Sequence, residues 1–284
     1  MTGAAGDGGI VTGALVDAHH HLWDTAARDY AWMDGPWADP IRGRFDVARY
    51  ASAAADVTTS VVVQALHDDG ETRDLLRVAG EPGPVAAVVG WVDLTAPDVA
   101  DRLAELRSAG PLAGIRHQAQ DEPDPEWLTR PPVVRGIAAV GAAGLVYDLL
   151  VRPPQAAAAL DLVRRLPEVS FVLDHAGKPD IAGGAWEPWA TWIFSLAALP
   201  NVTVKLSGLV TEAAEGWRPA DVLPYARHVL SAFGADRVMF GSDWPVCALA
   251  ASYDQVRAVA EDALSPGETD AVFGGTARRI YRLG

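Results

Sequence analysis

Seven histidines are spread over 284 residues, and their placement is the first chemical signal. His19, His20 and His21 close one apolar run, His117 closes a second and His175 a third, while His67 sits just past a fourth. Only His228 falls inside a stretch of helical periodicity. Side chains two apart on a strand point the same way, so His19 and His21 share one face and His20 takes the other. Two neutral imidazoles aimed into one space can hold a divalent cation. Asp243, in Phe240-Gly241-Ser242-Asp243-Trp244-Pro245, also closes an apolar run. A carboxylate buried there alone would be strongly unfavourable, so it needs a metal, an imidazole or a water beside it. Arg116 offers a planar fork of donors that suits a substrate carboxylate or hydroxyls, or one of the chain's many acidic side chains.

Elements that bring these residues together are legible as eight apolar, β-branched runs: residues 14–21, 59–65, 85–92, 112–118, 145–151, 169–175, 202–207 and 237–243. Most are near-continuous, as in Val61-Val62-Val63, which is what a parallel strand buried on both faces requires. Helix punctuation lies between them. Asp46 starts one helix, Pro97-Asp98 opens another that ends at Gly110, Pro153-Pro154 a third, and residues 219–221 a fourth that stops at Gly234. Ser265-Pro266-Gly267-Glu268 has capping-box spacing, predicting a helix with Pro at its first position. Trp186, Trp189 and Trp192 recur three apart, as one core-facing helix stripe would.

Repeated strand-helix units with no linker between them predict a single (β/α)8 barrel over residues 14–284, with residues 1–13 as a flexible leader. A doubly wound open sheet is disfavoured, because Gly-x-Gly-x-x-Gly follows none of the strands. In a barrel the active site is built at the C-terminal strand tips, where the histidines and Asp243 stand.

Composition narrows the function. The chain is 50% hydrophobic, carries one Cys and lacks an apolar run long enough to span a bilayer, which predicts a soluble cytoplasmic protein. A formal net charge of -14, with Lys+Arg at 23 against Asp+Glu at 37, argues against nucleic acid and anionic membrane as partners. A small molecule is the expected partner. Residues 1–13 lack a basic and an apolar region and do not read as a signal peptide. Cys247 reads as a small apolar filler. Oligomeric state is not encoded in any recognisable pattern.

Asp17-Ala18-His19-His20-His21-Leu22-Trp23-Asp24, His175 and the Gly-Ser-Asp before Trp244 together resemble the amidohydrolase superfamily. Val89-Gly90-Trp91-Val92-Asp93-Leu94, Gly114-Ile115-Arg116-His117, Asp174-His175-Ala176-Gly177-Lys178-Pro179 and Lys205-Leu206-Ser207-Gly208-Leu209 look like its branch of sugar-acid lactonases and pyrone-dicarboxylate and muconolactone hydrolases. The similarity runs from Val16 to Tyr281. It implies lactone hydrolysis, with Asp243 activating water and His19, His21 and His175 polarising the carbonyl. That polarisation runs either through one divalent ion, zinc first, held by His19, His21, His175 and Asp243, or directly by hydrogen bonds. Many superfamily members hold two metals bridged by a carboxylated Lys or a Glu. Here the only lysines are Lys178 and Lys205, away from the fourth and fifth strands, which predicts at most one metal. The branch itself ranges from one zinc to metal-independent catalysis.

On the lactonase reading Arg116, His117, Gln64 and Lys205 are candidates for substrate contacts. Trp23, Trp91 and Trp244, with Trp32, stand where a flat ring can cover the apolar face of a sugar. Lys178 reads equally as a solvated loop charge. Two alternatives stay open: a metal-dependent decarboxylase of an aromatic or enoic acid on the same barrel, and a non-catalytic sugar-acid-binding barrel.

Overall fold

The computed structural model describes residues 15–284; the expected leader, and Ala14 at the start of the first expected strand, lie outside the described residues. Eight parallel strands follow one another around a nearly closed barrel in chain order: β1 (Leu15–His20), β2 (Val57–Val63), β3 (Val85–Gly90), β4 (Leu112–His117), β5 (Val146–Leu149), β6 (Phe171–Leu173), β7 (Val202–Leu206) and β8 (Val238–Phe240). Between and after them lie α1 (Val47–Ala53), α2 (Asp69–Ala79), α3 (Val99–Ala109), α4 (Pro131–Ala142), α5 (Ala156–Arg165), α6 (Trp189–Ala197), α7 (Pro219–Phe233), α8 (Tyr253–Ala263) and α9 (Thr276–Tyr281). This is the (β/α)8 architecture that the eight apolar runs predict. A short antiparallel pair, Trp23–Asp24 with Arg44–Phe45, was not legible because two-residue strands carry no periodicity.

Local chemistry sets the helix ends. Asp46 accepts a hydrogen bond from Arg49 N at 3.0 Å at the start of α1, and Gly234, at φ 73°, ends α7 where a side chain would be strained. Residues 265–268 depart from expectation. Gly267 sits at φ 91°, outside helical geometry, so the segment is a turn in which Ser265 N donates to Glu268 Oε2 at 2.7 Å. The helical winding begins after it. The tryptophan stripe is also only partly a core stripe: Trp189 is buried on α6, but Trp186 precedes the helix and is 39% exposed.

Closure of the barrel falls at the future site. His20 bridges to Trp244, His21 N donates to Trp244 O at 2.7 Å, and Asp243 N donates to His19 O at 2.8 Å. Asp17 ties the same seam, accepting from Ser242 N at 2.9 Å, Ser242 Oγ at 2.6 Å, His19 N at 3.1 Å and Tyr50 OH at 3.0 Å. Burial pushes the Asp17 carboxyl up to about 6 against these donors.

The interior is layered. Inside the barrel, Val16, Val61, Ala87, Val89, Val146, Val172 and Met239 pack with Ala277 and Tyr281 of α9. Each fully buried valine there contributes roughly 1.5 kcal/mol or more by area alone. One pleat further along, Asp148 follows Val146 on β5, Asp174 follows Val172 after β6, and Lys205 follows Thr203 on β7. The apolar layer thus supports a charged one, and the histidines stand above it. Among the described residues no helix is long and apolar enough to cross a membrane.

Candidate active site

A bulge in β1 decides where its histidines point. The pairing of β1 with β2 slips between Asp17 and His20, so Val16 and Ala18 face the barrel interior and His19 nevertheless turns inward as well. Bulges re-aim side chains in this way beside active sites. Room for His19 exists only because residue 241 is glycine: a Cβ there would come within 2.6 Å of His19 Cβ. His20 points the other way, 3.0 Å from Ser60 Oγ and stacked on Tyr50 with ring centroids 3.8 Å apart.

His175 reaches the same space by a different device. His175, Ala176, Gly177 and Lys178 all have positive φ, between 50° and 69°. A run of left-handed residues costs about 1–2 kcal/mol for each non-glycine member, and here it lifts His175 and Lys178 off the end of β6. Ser207 Oγ lies 2.9 Å from His175 Nδ1 and fixes the ring. Gly208, at φ 64°, lies against that ring, where an added Cβ would meet Nδ1 at 2.6 Å and Cγ at 2.7 Å. Gly208→Ala is therefore expected to displace His175 and to lower catalytic efficiency about 100-fold, while thermal melting shows that the protein still folds. Full activity in that variant would mean His175 has freedom that this packing denies it.

The four side chains converge. Nε2 atoms of His19 and His21 are 3.2 Å apart, and Asp243 Oδ1 lies 3.3 Å from His21 Nε2, 3.8 Å from His19 Nε2 and 3.9 Å from His175 Nε2. Burial pushes His175 down to about 4 and lowers His21 against the pull of Asp243. Burial, then the Lys205 ammonium, carries His19 well below the ordinary imidazole range. For Asp243 burial alone would raise the carboxyl, but His175 and His21 outweigh it and hold it below its usual value. The resting state near neutral pH is three neutral imidazoles around one ionised carboxylate.

Of these, His19, His21 and Asp243 bring their ligating atoms together in a donor set that fits a zinc ion. Zn–N and Zn–O bonds of about 2.0–2.1 Å in a tetrahedron place ligand atoms about 3.3–3.4 Å apart, close to the shorter spacings here. The outer nitrogen of His21 is already oriented, with Nδ1 2.7 Å from Val63 O. His19, Asp174 and His175 form a second cluster of ligating atoms. It is occupied by cations of the chain: Asp174 takes Lys205 Nζ at 3.0 Å and Arg116 Nη1 at 3.0 Å. One ion, not two, suits the site.

Beneath the imidazoles, Asp148, Asp174, Lys205 and Arg116 form a buried quartet with two charges of each sign. Lys205, fully buried, donates to Asp148 Oδ2 at 2.5 Å and lies 3.2 Å from His19 Nδ1. Burial alone would raise Asp174, but Lys205, His19 and Arg116 hold its carboxyl well below the usual range. Burial pushes Asp148 up to about 6, with Tyr281 OH donating to it at 2.8 Å.

Above the histidines opens a cavity of about 400 Å³, whose lining includes His21, Arg116, His175 and Asp243. His19 lies just below, fully buried. Several expected contacts fall elsewhere. Lys205 belongs to the quartet and has no exposed surface with which to meet a ligand. Gln64 is turned onto Arg116, accepting from Nη2 at 3.2 Å and donating to its carbonyl at 3.2 Å. His117 is stacked between His67 and Trp127 at 4.0 and 3.9 Å, bonded to Glu122 at 2.8 Å, and receives Trp91 Nε1 at 3.2 Å. Trp23 donates to Ile41 O at 2.9 Å and backs His21, and Trp244 packs on Phe45 and Tyr50. None of these six is among the described residues that line the cavity. The tryptophans that do line it are Trp32 and Trp37, from the loop after β1. Arg116 lines the cavity while its guanidinium is paired with Asp174.

Sequence reasoning passed over Arg152 and Glu212 and undervalued Lys178, all of which line the cavity. Each lies in a loop just beyond a strand end, where no periodicity marks it; Lys178 alone carried a signal, three residues after His175 in a glycine-containing turn.

Residues 16–283 match the family model described as Amidohydrolase. The chain is 42% identical to an L-fucono-1,5-lactonase of Burkholderia multivorans, covering 95% of this chain and 97% of that one. It is 40% identical to an L-fucono-1,5-lactonase of Burkholderia ambifaria, covering 94% and 95%. Among solved structures, an amidohydrolase from Burkholderia multivorans with bound zinc superimposes with a TM-score of 0.89 at 42% identity, over 96% of this chain and 100% of that chain.

Proposed function

The chain belongs to the amidohydrolase family, and from that premise we propose that it hydrolyses the ring ester of a sugar-acid lactone, with a 1,5-lactone of the L-fucono type as the first candidate. The observation that carries this reading is the convergence of His19, His21, His175 and the ionised Asp243 at one end of an open cavity. The Asp243 carboxylate accepts a proton from water as the water oxygen bonds to the lactone carbonyl carbon. The bond from that carbon to the ring oxygen then breaks, and Asp243 returns the proton to the departing oxygen. Ser207 and Val63 O hold the His175 and His21 rings at fixed angles, so no reorganisation accompanies charge development. His19, His21 and Asp243 would hold one zinc ion, which supplies Lewis-acid polarisation of the carbonyl when bound. Arg116, locked by Asp174 and Gln64, presents its guanidinium edge to the substrate.

A small-molecule lactone is the partner in this reading. A lone buried Cys247 fits a reducing compartment, and we place the enzyme in the cytoplasm on that ground. The test is a panel of aldonolactones of both ring sizes followed by base uptake at constant pH, before and after chelation. Acid release far above the spontaneous rate is expected for at least one 1,5-lactone, and zinc should restore any activity that chelation removes. No acid release from any lactone, with carbon dioxide evolved from an aromatic acid, would replace hydrolysis with decarboxylation.

A further inference from the structure

Glu212, Arg152 and Lys178, three charged side chains on the cavity wall, play no part in the chemistry above. Glu212, in the short turn Val210–Glu212 after β7, places Oε2 3.4 Å from Arg152 Nη1 and Oε1 3.8 Å from Lys178 Nζ. Its side chain is only 14% exposed, and its main chain is pinned by Ala182 N donating to Glu212 O at 3.0 Å. Arg152, just past β5, is held at its main chain by Gln155 Oε1 at 3.1 Å, and the left-handed turn fixes Lys178. The carboxylate is thus oriented from two sides. Each of its oxygens keeps lone pairs that the two cations do not use, and a carboxylate only accepts. Hydroxyl groups are the ligand chemistry that such oxygens take, while the flanking ammonium and guanidinium donate to hydroxyl oxygens beside them.

Charge balance sharpens the choice. The cavity is lined by three cations, Arg116, Arg152 and Lys178, and three carboxylates, Asp121, Glu212 and Asp243. Arg116 is committed to Asp174, and the other two cations face Glu212. An anionic substituent therefore meets no cation without a carboxylate already beside it, and it meets the Glu212 charge at close range. Rejection through an unfavourable charge is as effective as attraction of the right ligand.

We propose that Glu212, oriented by Arg152 and Lys178, is the specificity-determining residue of this cavity: it reads the hydroxyls of a neutral polyhydroxylated ring and turns away rings bearing a carboxylate. The assignment rests on the lactonase reading for its reaction but not for its binding geometry, so both are measured. Wild type and Glu212→Gln are titrated by calorimetry with a 1,5-anhydroalditol, a neutral ring polyol without a carbonyl, and with isophthalate, a rigid aromatic dicarboxylate. Removing one charge while keeping the shape is expected to weaken the anhydroalditol about tenfold and to strengthen isophthalate about tenfold, the scale of a hydrogen bond to a charged group. In parallel, KM for the best aldonolactone should rise about tenfold with kcat changed less than about threefold, because Glu212 does not touch the reacting carbonyl. Both probes shifting in the same direction, or neither shifting, overturns the proposal. Opposite shifts in a protein that opens no lactone would retain the subsite and reject the reaction; lactone opening without those shifts would do the reverse. Should Glu212→Gln fail to fold, Arg152→Gln takes its place, since that side chain is 47% exposed. It is expected to weaken isophthalate further, and unchanged or tighter isophthalate binding overturns the proposal.

Discussion

Asp243→Asn is expected to lower kcat by about 10²–10⁴-fold, the range that a positioned general base contributes, while leaving the fold intact. The substitution is nearly isosteric. The left-handed backbone of Asp243, at φ 57°, is one that asparagine adopts more readily than other side chains do. What the amide lacks is the charge that accepts a proton from water and completes the set of three neutral imidazoles. Loss of that charge is also expected to weaken zinc, so the variant is assayed with the metal titrated to saturation, and the deficit in kcat should persist there. Binding of a 1,5-anhydroalditol should stay within a few-fold of wild type. Turnover that survives would show that another group takes the proton from water.

The same assignments fix the pH dependence of the wild-type enzyme. His175 becomes cationic only as pH falls through about 4, and Asp243 is held below the usual carboxylate value. Initial kcat/KM should be level from neutrality down to about pH 5 and fall below that, as the neutral imidazole is lost. An acid limb centred near the ordinary imidazole value of about 6.5 would mean that burial does not keep these rings neutral.

His19, His21, His175 and Asp243 were readable in the sequence because a polar group at the end of a run of buried β-branched residues is costly unless chemistry or a partner holds it there. That signal comes from burial, which a strand pattern exposes directly. Lys205 was readable as unusual but not as structural, because a pattern of alternation places a side chain inside a barrel without giving its depth. It stands one pleat too low to meet a ligand. Trp91 and His117 are kept from the cavity lining by ring stacking with His67 and Trp127, tertiary contacts that leave no period in the sequence. The bulge in β1 and the left-handed turn after β6 were invisible as well. They are irregularities whose cause is tertiary, sustained by the glycines at 241 and 208 that give the histidine rings room. The short pair Trp23–Asp24 with Arg44–Phe45 likewise leaves no periodic trace, and the turn at 265–268 is set locally by the positive φ of Gly267.

Lys205→Met is expected to destabilise the protein by about 3–5 kcal/mol, because removing one partner of a buried ion pair strands the other. At this chain length that corresponds to a fall in melting temperature of roughly 10 °C. Methionine fills most of the volume, so the loss is electrostatic. Asp148 keeps Tyr281 OH and Asp174 keeps Arg116, yet the quartet is left with two negative charges and one positive. The pH dependence separates this cause from a packing defect. In the wild type Asp148 is raised to about 6, above its unfolded value, so the folded state binds the extra proton and gains stability as pH falls below that point. Lys205 is what opposes that rise. Without it Asp148 should titrate higher still and Asp174 should lose most of its depression, so the variant takes up protons in the folded state at pH values where wild type does not. The gap in melting temperature between variant and wild type should therefore narrow as pH is lowered from 8 toward 5. A gap of constant size would assign the loss to packing. Because Lys205 Nζ also lies 3.2 Å from His19 Nδ1, the ammonium competes with Asp174 for that nitrogen and so helps choose which ring nitrogen of His19 carries the proton. Its removal leaves Asp174 as acceptor for Nδ1–H and frees Nε2 as a lone pair. Zinc affinity at low temperature, where the variant is folded, is expected to rise or hold while melting temperature falls, and a parallel loss of both would show that Lys205 supports the metal ligands only through the fold.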